Sequence, residues 1–388
     1  MLALFHFAAR MRSLQIQLMR IGIDARIFGS QYTGIGRYVQ ELVEHLAQIA
    51  PQHEFVLFMN APQFQEYEAP KNVQKVLVNA HHYSLKEQWS FFWKLRKAKL
   101  DLMHFTHFNA PILYKKPSVV TIHDLTLSFY PGKKMNSWLH RRAYHFTLSN
   151  AVSHAKKVIA VSENTKLDLI KVLGTAQEKI TVIYEGVGEN FTPREDREGL
   201  AELVKKYGIT KDYLLYTGVW RSHKNLINLI RAFAILKQDE SFDLQLVITG
   251  KEDPYYPEVR RTVKELGLEY SVIFPGMVPE DELTALYQGA FTYVFPSLYE
   301  GFGLPPLEAM RCGTPVVASK ASCIPEICGE NNALFFDPYD PEDMANAIRR
   351  VWLDGDLRKD LRERGLRHSR KFSWKSMAEE SLALYETT

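Results

Sequence analysis

Cysteine is scarce in this 388-residue sequence, which contains only Cys312, Cys323 and Cys328. Their spacing is not C-x-x-C, and no histidine beside them completes a zinc-binding pattern, so we expect no structural metal. So few cysteines are typical of a protein that works in a reducing compartment. We therefore expect a cytoplasmic location.

Long apolar runs and a strong net charge are also missing. No apolar run is long enough to span a bilayer. The net charge is only +3, and the basic residues are spread along the chain, so we expect no nucleic-acid partner. The hydrophobic content of 46% and charged content of 24% are those of an ordinary globular protein, and the length suits two or three domains.

The stretch before Met19 does not fit the pattern of the remaining chain. It is apolar with Arg10 and Arg12 in its middle, and it lacks a leading basic region and a small-residue cleavage site, so a signal peptide fits poorly. Two interpretations stay open. The stretch is either an upstream start codon or loose extension, with Met19 as the true start, or a helix that lies on a membrane surface.

Short apolar runs alternate with amphipathic stretches along the chain. The clearest runs form two series, which begin at Ile21, Phe55, Val119, Val158 and Ile180, and at Tyr213, Leu244, Phe291 and Pro315. Continuous hydrophobicity is typical of strands buried on both faces, as in a parallel sheet covered by helices. Helical periodicity between the runs, as over 37–49, 226–236 and 280–288, predicts a doubly wound α/β fold.

A polar segment that begins at Gly186 separates the two series. It contains glycine, proline and charged residues without a periodic apolar face, so we expect an interdomain linker. We predict Rossmann-like domains over 1–190 and 191–371 that face each other across a cleft. An amphipathic helix in 372–388 is expected to cross back to the first domain. Ligands of such sheets bind beyond the carboxyl ends of the strands, so functional side chains are expected there.

The segment YEGFGLPPLEAMRCG, after the run that begins at Phe291, is the strongest functional signal. It holds Glu300 and Glu308 with seven residues between them. Gly301 and Gly303 allow a ligand to approach the backbone, and the prolines that follow suit the first turn of a helix. Free amides at a helix N-terminus bind phosphate, and the two carboxylates can accept hydrogen bonds from sugar hydroxyls. The alternative is a tight turn with two solvated glutamates.

These segments together resemble the retaining glycosyltransferases of family four. The pair from Glu300 to Glu308 resembles the E-x7-E motif of that family. Further matching segments occur in the right order, namely GIDARIFGSQYTGIGRY, THFNAP, TIHDL, VIAVSENTKLDL, LLYTGVWRSHKNLINLIRAF and PGMVPEDELTALYQGA. The resemblance covers nearly everything from Met19 to the end of the chain. It implies the GT-B fold and a nucleotide sugar as the donor substrate.

The resemblance also implies roles for the donor-site residues. Glu308 corresponds to the glutamate that binds the ribose hydroxyls, and Glu300 to the one near the hydroxyls of the donor sugar. The loop that contains Val278 would contact the base largely through its main chain. Three residues would offer backbone amides to the sugar and phosphate, namely Phe302, Gly303 and Leu304.

Cations for the leaving diphosphate are expected in GVWRSHKN, which follows the run that begins at Tyr213. Lys224 corresponds to the lysine that contacts the diphosphate in many members of the family. Val219 stands where those members have an arginine, so Arg221, two residues further on, is the expected second cation. Fixed cations stabilise the negative charge that builds on a departing nucleoside diphosphate. Exposed charges on a loop are the alternative for both residues.

The remaining candidates lie in the N-terminal half. YTGIGRY, with Gly34 and Gly36 ahead of an amphipathic helix, matches a glycine loop that faces the diphosphate. It lacks the third glycine of the dinucleotide fingerprint, so a plain turn is the alternative. His123 corresponds to the histidine beside the donor sugar and is expected to orient it; a packed core histidine is the alternative. Three residues are expected on the acceptor side, namely His107, Asn109 and Asp124. Loop caps are the alternative for His107 and Asn109.

No carboxylate cluster indicates a metal site. Asp354 and Asp356 form a D-x-D pair, but they follow a helix near the C-terminus, where an exposed turn is expected. We therefore expect metal-independent transfer of a hexosyl group with retention of configuration and without a cofactor. Cations and helix N-termini would stabilise the leaving group.

The sequence says little about specificity. TGVWRSHKN and EGFGLPPLEA are similar to segments of bacterial mannosyl-, rhamnosyl- and glucosyltransferases of surface polysaccharide synthesis. GDP-mannose, narrowly ahead of UDP-glucose, is the expected donor, and a glycan or lipid-linked oligosaccharide is the expected acceptor. A GT-B epimerase and a non-catalytic nucleotide-sugar-binding protein are the rival interpretations. The basic, aromatic stretch from Lys133 is either ordinary helix surface or a contact with anionic lipid.

Overall fold

The computed structural model describes residues 18–78, 85–133, 137–194 and 196–388. Apart from Leu18, the stretch before Met19 lies outside the described residues, and so does part of the basic stretch from Lys133.

The strands form two sheets, and every strand pair within them is parallel. The strands are β1 (Arg20–Asp24), β2 (Glu54–Met59), β3 (Val73–Leu77), β4 (Leu102–Phe105), β5 (Ser118–Ile122), β6 (Lys157–Ala160), β7 (Ile180–Val182), β8 (Tyr213–Thr217), β9 (Gln245–Thr249), β10 (Val272–Gly276), β11 (Thr292–Phe295), β12 (Val316–Ser319) and β13 (Leu334–Phe336). The first sheet has the order β3-β2-β1-β4-β5-β6-β7, and the second has the order β10-β9-β8-β11-β12-β13.

Helices connect the strands of both sheets. They are α1 (Thr33–Ile49), α2 (Gln63–Glu66), α3 (Leu85–Lys97), α4 (Thr126–Phe129), α5 (Trp138–His154), α6 (Glu163–Leu173), α7 (Arg197–Lys205), α8 (Leu226–Leu236), α9 (Glu258–Glu265), α10 (Glu280–Gly289), α11 (Leu304–Arg311), α12 (Ile324–Cys328), α13 (Pro341–Leu353), α14 (Gly355–Ser369) and α15 (Trp374–Glu386). Short 3-10 turns include Ser222–Lys224, which follows β8.

Burial of the strands explains why the apolar runs are continuous. Every residue of β5 and of β8 is buried, because helices cover both faces of each sheet. The predicted pair of doubly wound, Rossmann-like α/β domains is confirmed. Strand order reverses between β1 and β4 in the first sheet and between β8 and β11 in the second. Such reversals open the crevice in which doubly wound sheets bind ligands.

The chain passes between the two sheets twice, and the two crossings lie side by side. The backbone N–H of Val187 donates to the carbonyl of Phe372 at 3.4 Å. A Cβ atom at Gly186 would lie only 2.1 Å from the backbone nitrogen of Trp374, so the two crossings touch through their main chains. After the second crossing, α15 packs against α1, and the Tyr385 hydroxyl lies 2.6 Å from His104 Nδ1.

Candidate active site in the interdomain cleft

The turn between β11 and α11 is pressed against the first domain. A Cβ atom at Gly301 would lie 1.7 Å from the carbonyl oxygen of His123, so only glycine permits this approach. Gly303 has φ of 102°, a left-handed conformation that also favours glycine, and α11 begins at the next residue. The prolines at 305 and 306 have no N–H, so Leu304 supplies the free amide at the start of this helix.

Glu300 and Lys224 form an ion pair at the crevice of the second sheet. Lys224 Nζ donates to Glu300 Oε1 at 2.6 Å. The two side chains are only 19% and 13% exposed, so water screens the pair weakly. The Ser322 hydroxyl donates to the carbonyl of Glu300 at 2.7 Å and fixes the backbone there. The two residues follow the adjacent strands β8 and β11, beyond the carboxyl ends, where functional side chains are expected.

Glu308 lies in α11 and faces the first domain. Its Oε1 accepts a hydrogen bond from Arg37 Nη1 at 2.6 Å, and its Oε2 accepts one from the Tyr287 hydroxyl at 2.8 Å. Arg37 also pairs with Glu280 at the start of α10. Burial raises the pKa of Glu308, while the charge of Arg37 and the hydrogen bond from Tyr287 oppose the increase. Both carboxylate oxygens of Glu308 thus have protein partners.

The predicted glycine loop is part of a helix, which corrects the sequence interpretation. Helix α1 begins at Thr33 rather than residue 37, so Gly34 and Gly36 lie in its first turn. A Cβ atom at Gly36 would lie 2.0 Å from the carbonyl oxygen of Gly29, so close backbone packing explains this glycine. Gly34 is exposed, and a Cβ there would lie 3.7 Å from Leu304 of the second domain. The structure therefore places Gly34, but not Gly36, at the surface of the cleft.

His123, at the end of β5, is buried and bonded to the first domain through both ring nitrogens. Its Nδ1 lies 3.0 Å from Glu185 Oε1, and its Nε2 lies 3.0 Å from the carbonyl oxygen of Thr106. The ring packs edge-on against Tyr38 of α1 with 4.7 Å between centroids. The backbone of His123 meets the donor-side turn at Gly301, whereas its side chain points into its own domain.

The expected acceptor-side residues are bonded to their own domain. Asn109 is buried, and its Nδ2 donates to Glu87 Oε1 at 2.7 Å, within a cluster that also contains Arg26. His107 Nδ1 accepts a hydrogen bond from the amide of Asn109 at 3.3 Å. Asp124 Oδ1 accepts one from the amide of residue 126 at 2.7 Å, at the first residue of the short helix α4. Asn109 therefore lies beneath the cleft surface rather than on it.

Comparison with known proteins identifies the family. Residues 201–368 match the model of glycosyl transferases group 1, and residues 32–190 match that of glycosyltransferase family 4. The O-antigen chain mannosyltransferase B of Escherichia coli is 29% identical over 379 residues, 91% of this chain and 96% of that protein. An uncharacterized glycosyltransferase of Methanocaldococcus jannaschii is 30% identical over 302 residues, 74% of this chain and 75% of that protein. The chain belongs to the family-four glycosyltransferases.

A solved structure supports the fold of this glycosyltransferase. Sucrose-phosphate synthase from Thermosynechococcus elongatus superimposes with a TM-score of 0.77 at 22% identity, over 95% of this chain and 98% of that one. The expected GT-B fold is confirmed.

The other expected donor-site residues of the glycosyltransferase differ in exposure. Arg221 is exposed and directly precedes the 3-10 turn that contains Lys224. Phe302 buries its ring against Phe372, with 5.9 Å between centroids, and its carbonyl oxygen accepts a hydrogen bond from Cys323 Sγ at 3.0 Å. Leu304 is nearly buried, and Val278 is half-buried against the core of its domain. The main-chain roles expected for this turn are compatible with these side-chain positions.

Sequence reasoning missed three partners of the expected residues. Arg37 and Tyr287 hold Glu308, and Glu185 holds His123. Arg37 directly follows the G-I-G segment, and Glu185 follows β7, and these positions are the signals in the sequence that could have drawn attention to them. No rule of spacing identifies Tyr287, which lies in the last turn of α10.

The D-x-D pair lies far from the carboxylates of the cleft in chain order and has a structural role. Asp354 Oδ1 accepts a hydrogen bond from the amide of Leu357 at 2.9 Å and caps α14, in the exposed turn that the sequence indicates. Within the described ranges, no group of three His, Cys, Asp or Glu side chains is arranged to hold a metal ion. None of the helices in the described part of the chain is both long enough and apolar enough to span a membrane.

Proposed function

We propose that this glycosyltransferase moves a hexosyl group, mannosyl in first place, from a nucleoside diphosphate sugar to a glycan or a lipid-linked oligosaccharide. The name of the Escherichia coli relative, an O-antigen chain mannosyltransferase, supports mannosyl transfer in surface polysaccharide synthesis. GDP-mannose is the proposed donor, with UDP-glucose as the next candidate. We place the reaction on the cytoplasmic side of the membrane.

The ion pair between Lys224 and Glu300 is the observation that carries this proposal. It holds a cation and a carboxylate close to the start of α11 in the sequence, and Glu308 lies further along the same helix. In the bound state, Lys224 would turn to the diphosphate while Glu300 accepts hydrogen bonds from the sugar hydroxyls. Glu308 would accept hydrogen bonds from the ribose in place of Arg37. In each case, a group of the donor therefore replaces a partner that the protein itself supplies.

We propose transfer on one face of the sugar, with retention of configuration. The bond between the anomeric carbon and the phosphate oxygen breaks, and its electron pair leaves with the nucleoside diphosphate. The acceptor oxygen bonds to the anomeric carbon on the same face, and its proton passes to the leaving phosphate oxygen. Lys224, Arg221 and the amide of Leu304 stabilise the charge that develops, without a metal or cofactor. Closure of the domains excludes water.

Calorimetric titration with nucleotide sugars tests this proposal. GDP-mannose, UDP-glucose, UDP-N-acetylglucosamine and dTDP-rhamnose are compared on the wild type, on Glu308→Gln and on Lys224→Ala, with Glu330→Gln as a control at an exposed carboxylate. We expect one donor to bind with Kd between about 1 µM and 1 mM, and both site variants to weaken it at least about tenfold. Binding that ignores both site variants contradicts the proposal.

Analysis of the product separates transfer from its rivals. With donor and acceptor present, proton NMR of the new linkage is expected to show the anomeric configuration of the donor. Inverted configuration would contradict retention. An epimerase would convert the donor without any acceptor, and a binding protein would convert nothing.

We also propose that α5 brings the enzyme to an anionic membrane surface. Trp138, Leu139 and Phe146 are 60–62% exposed on this helix, beside the exposed Arg141 and Arg142. Aromatic and apolar side chains among cations are typical of helices that lie in the headgroup region. More of the wild type than of Trp138→Ala should sediment with vesicles that contain phosphatidylglycerol. Vesicles of phosphatidylcholine alone should not carry the wild type down. Tyr270→Ala, at a 95% exposed tyrosine of the second domain, is the control.

A further inference from the structure

Glu185 is a buried carboxylate that the proposed reaction does not use. It follows β7 and directly precedes Gly186, where the first crossing between the domains touches the second. Only 5% of Glu185 is exposed. Burial of an ionised carboxylate is costly unless a partner offsets the loss of hydration. The partner here is the imidazole of His123, with 3.0 Å between Glu185 Oε1 and His123 Nδ1.

The hydrogen bonds of His123 determine how many protons the pair holds. The carbonyl oxygen of Thr106, 3.0 Å from Nε2, only accepts hydrogen bonds, so Nε2 carries a proton. An ionised Glu185 also only accepts, so a hydrogen bond at Nδ1 requires a second proton on the pair.

The other titratable groups that face the imidazole are uncharged. Besides Glu185, the titratable groups packed against it are Tyr38 from α1 and His104 from β4. His104 is uncharged there, because burial, and after it the positive charge of His123, lower the pKa of His104 to about 3. The Tyr38 hydroxyl bonds to Thr121 at 3.0 Å and presents only its ring to His123. Glu185 is thus the carboxylate that balances an imidazolium here.

We propose that Glu185 is a positioning residue that holds His123 as an imidazolium with both N–H groups donating, one to Glu185 and one to Thr106. The ring then fixes the end of β5, whose His123 carbonyl oxygen is the surface on which the turn at Gly301 closes. Glu300 directly precedes Gly301 in that turn, so Glu185 acts on donor alignment through His123. This role rests on the proposed glycosyl transfer, whereas the protonation of the pair does not.

Substitution by glutamine separates the charge of Glu185 from its shape. In Glu185→Gln the amide can donate to an unprotonated Nδ1, so the ring keeps its place and its bond to Thr106 but loses the second proton. Glu189→Gln is the matched control, because Glu189 is an exposed glutamate of the same segment. Both variants are made in the full chain.

Nitrogen-15 NMR of histidine-labelled protein at pH 7, assigned with His123→Asn, measures the protonation directly. We expect both ring nitrogens of His123 to be protonated in the wild type and in Glu189→Gln, and Nε2 alone to be protonated in Glu185→Gln. A neutral His123 in the wild type would overturn the proposal.

Release of nucleoside diphosphate from the donor measures the role in the reaction. We expect kcat of Glu185→Gln to fall by about tenfold to a hundredfold, as for other residues that orient a site through a neighbour. The donor KM should stay within about twofold, because Glu185 does not contact the donor. Unchanged kcat in Glu185→Gln would overturn the positioning role. If the wild type turns over no nucleotide sugar, the proposed function fails, and the NMR result still decides the state of the pair.

Discussion

Arg37 and Glu308 meet across the two domains, with 2.6 Å between Nη1 and Oε1. Arg37 comes from the first turns of α1, and Glu308 comes from α11. Their side chains are 19% and 8% exposed, so the pair is shielded from water on most sides. The resemblance assigns Glu308 to the ribose, so the residue expected to bind the donor also joins the two domains when no donor is present.

Arg37→Ala should lower the free energy of unfolding by about 1.5–3 kcal/mol, because it leaves a buried carboxylate without its charged donor. Arg364→Ala is the matched control. Arg364 pairs with Asp360 at 2.7 Å, but both side chains are exposed, so its loss should cost less than about 1 kcal/mol. Denaturation by guanidinium chloride measures both values. Equal losses of unfolding free energy in the two variants would show that burial does not make the Arg37 pair more stabilising than an exposed pair.

The two glycines of the first turn of α1 should respond differently to alanine. Gly36→Ala places a Cβ atom 2.0 Å from the carbonyl of Gly29, and we expect a loss of about 1–3 kcal/mol from overpacking. Gly34→Ala meets only Leu304, at 3.7 Å, and should leave stability unchanged or raise it by about 0.5–1 kcal/mol through helix propensity. Thermal unfolding of the two variants compares them. Greater harm from Gly34→Ala would contradict the packing argument.

The architecture was predictable because strands buried on both faces produce continuous apolar runs. Four strands were not singled out. β3, β10 and β13 lie at sheet edges and are only partly buried, and β4, although buried, contains His104 in a run of four residues. The start of α1 was also placed too late, because two glycines with low helix propensity precede it and tertiary packing overrides that propensity.

The candidate site was predictable at strand ends, where motifs stand close together in sequence. Its partners were not, because they are brought in by folding. Arg37 and Glu308 are 271 residues apart, and His123 and Glu185 are 62 residues apart. For Asn109 the expectation and the structure differ in another way. A polar residue after a strand was expected on the cleft surface, but its side chain donates a hydrogen bond within a buried cluster.

Stability should fall with acidity because of His104. Burial lowers the pKa of His104 to about 3, against about 6.5 in the unfolded chain. The folded state resists a proton that the unfolded state accepts, so stability is full above about pH 6.5 and is lost as pH falls towards 3. His104→Gln should make the slope shallower by about 1.4 kcal/mol per pH unit between pH 6 and 4. His140→Gln, at an exposed histidine, should leave the slope unchanged.

Gly301→Ala should block closure of the two domains without unfolding either of them. The added Cβ would lie 1.7 Å from the carbonyl oxygen of His123, and neither backbone can yield by the required distance. The two residues belong to different domains, so separation of the domains relieves the clash. Gly355→Ala is the control, because a Cβ there would meet only Arg358 at 3.8 Å.

The expected result for Gly301→Ala is a larger radius of gyration in small-angle X-ray scattering than in the wild type, with turnover reduced on the order of a hundredfold because water enters and the cleft cannot assemble. Donor binding should persist, since Lys224 and Glu308 both belong to the second domain. An unchanged radius with lost donor binding would instead show that the turn at Gly301 bends away from His123. In that case the contact would shape the donor site locally and would not set how far the domains close.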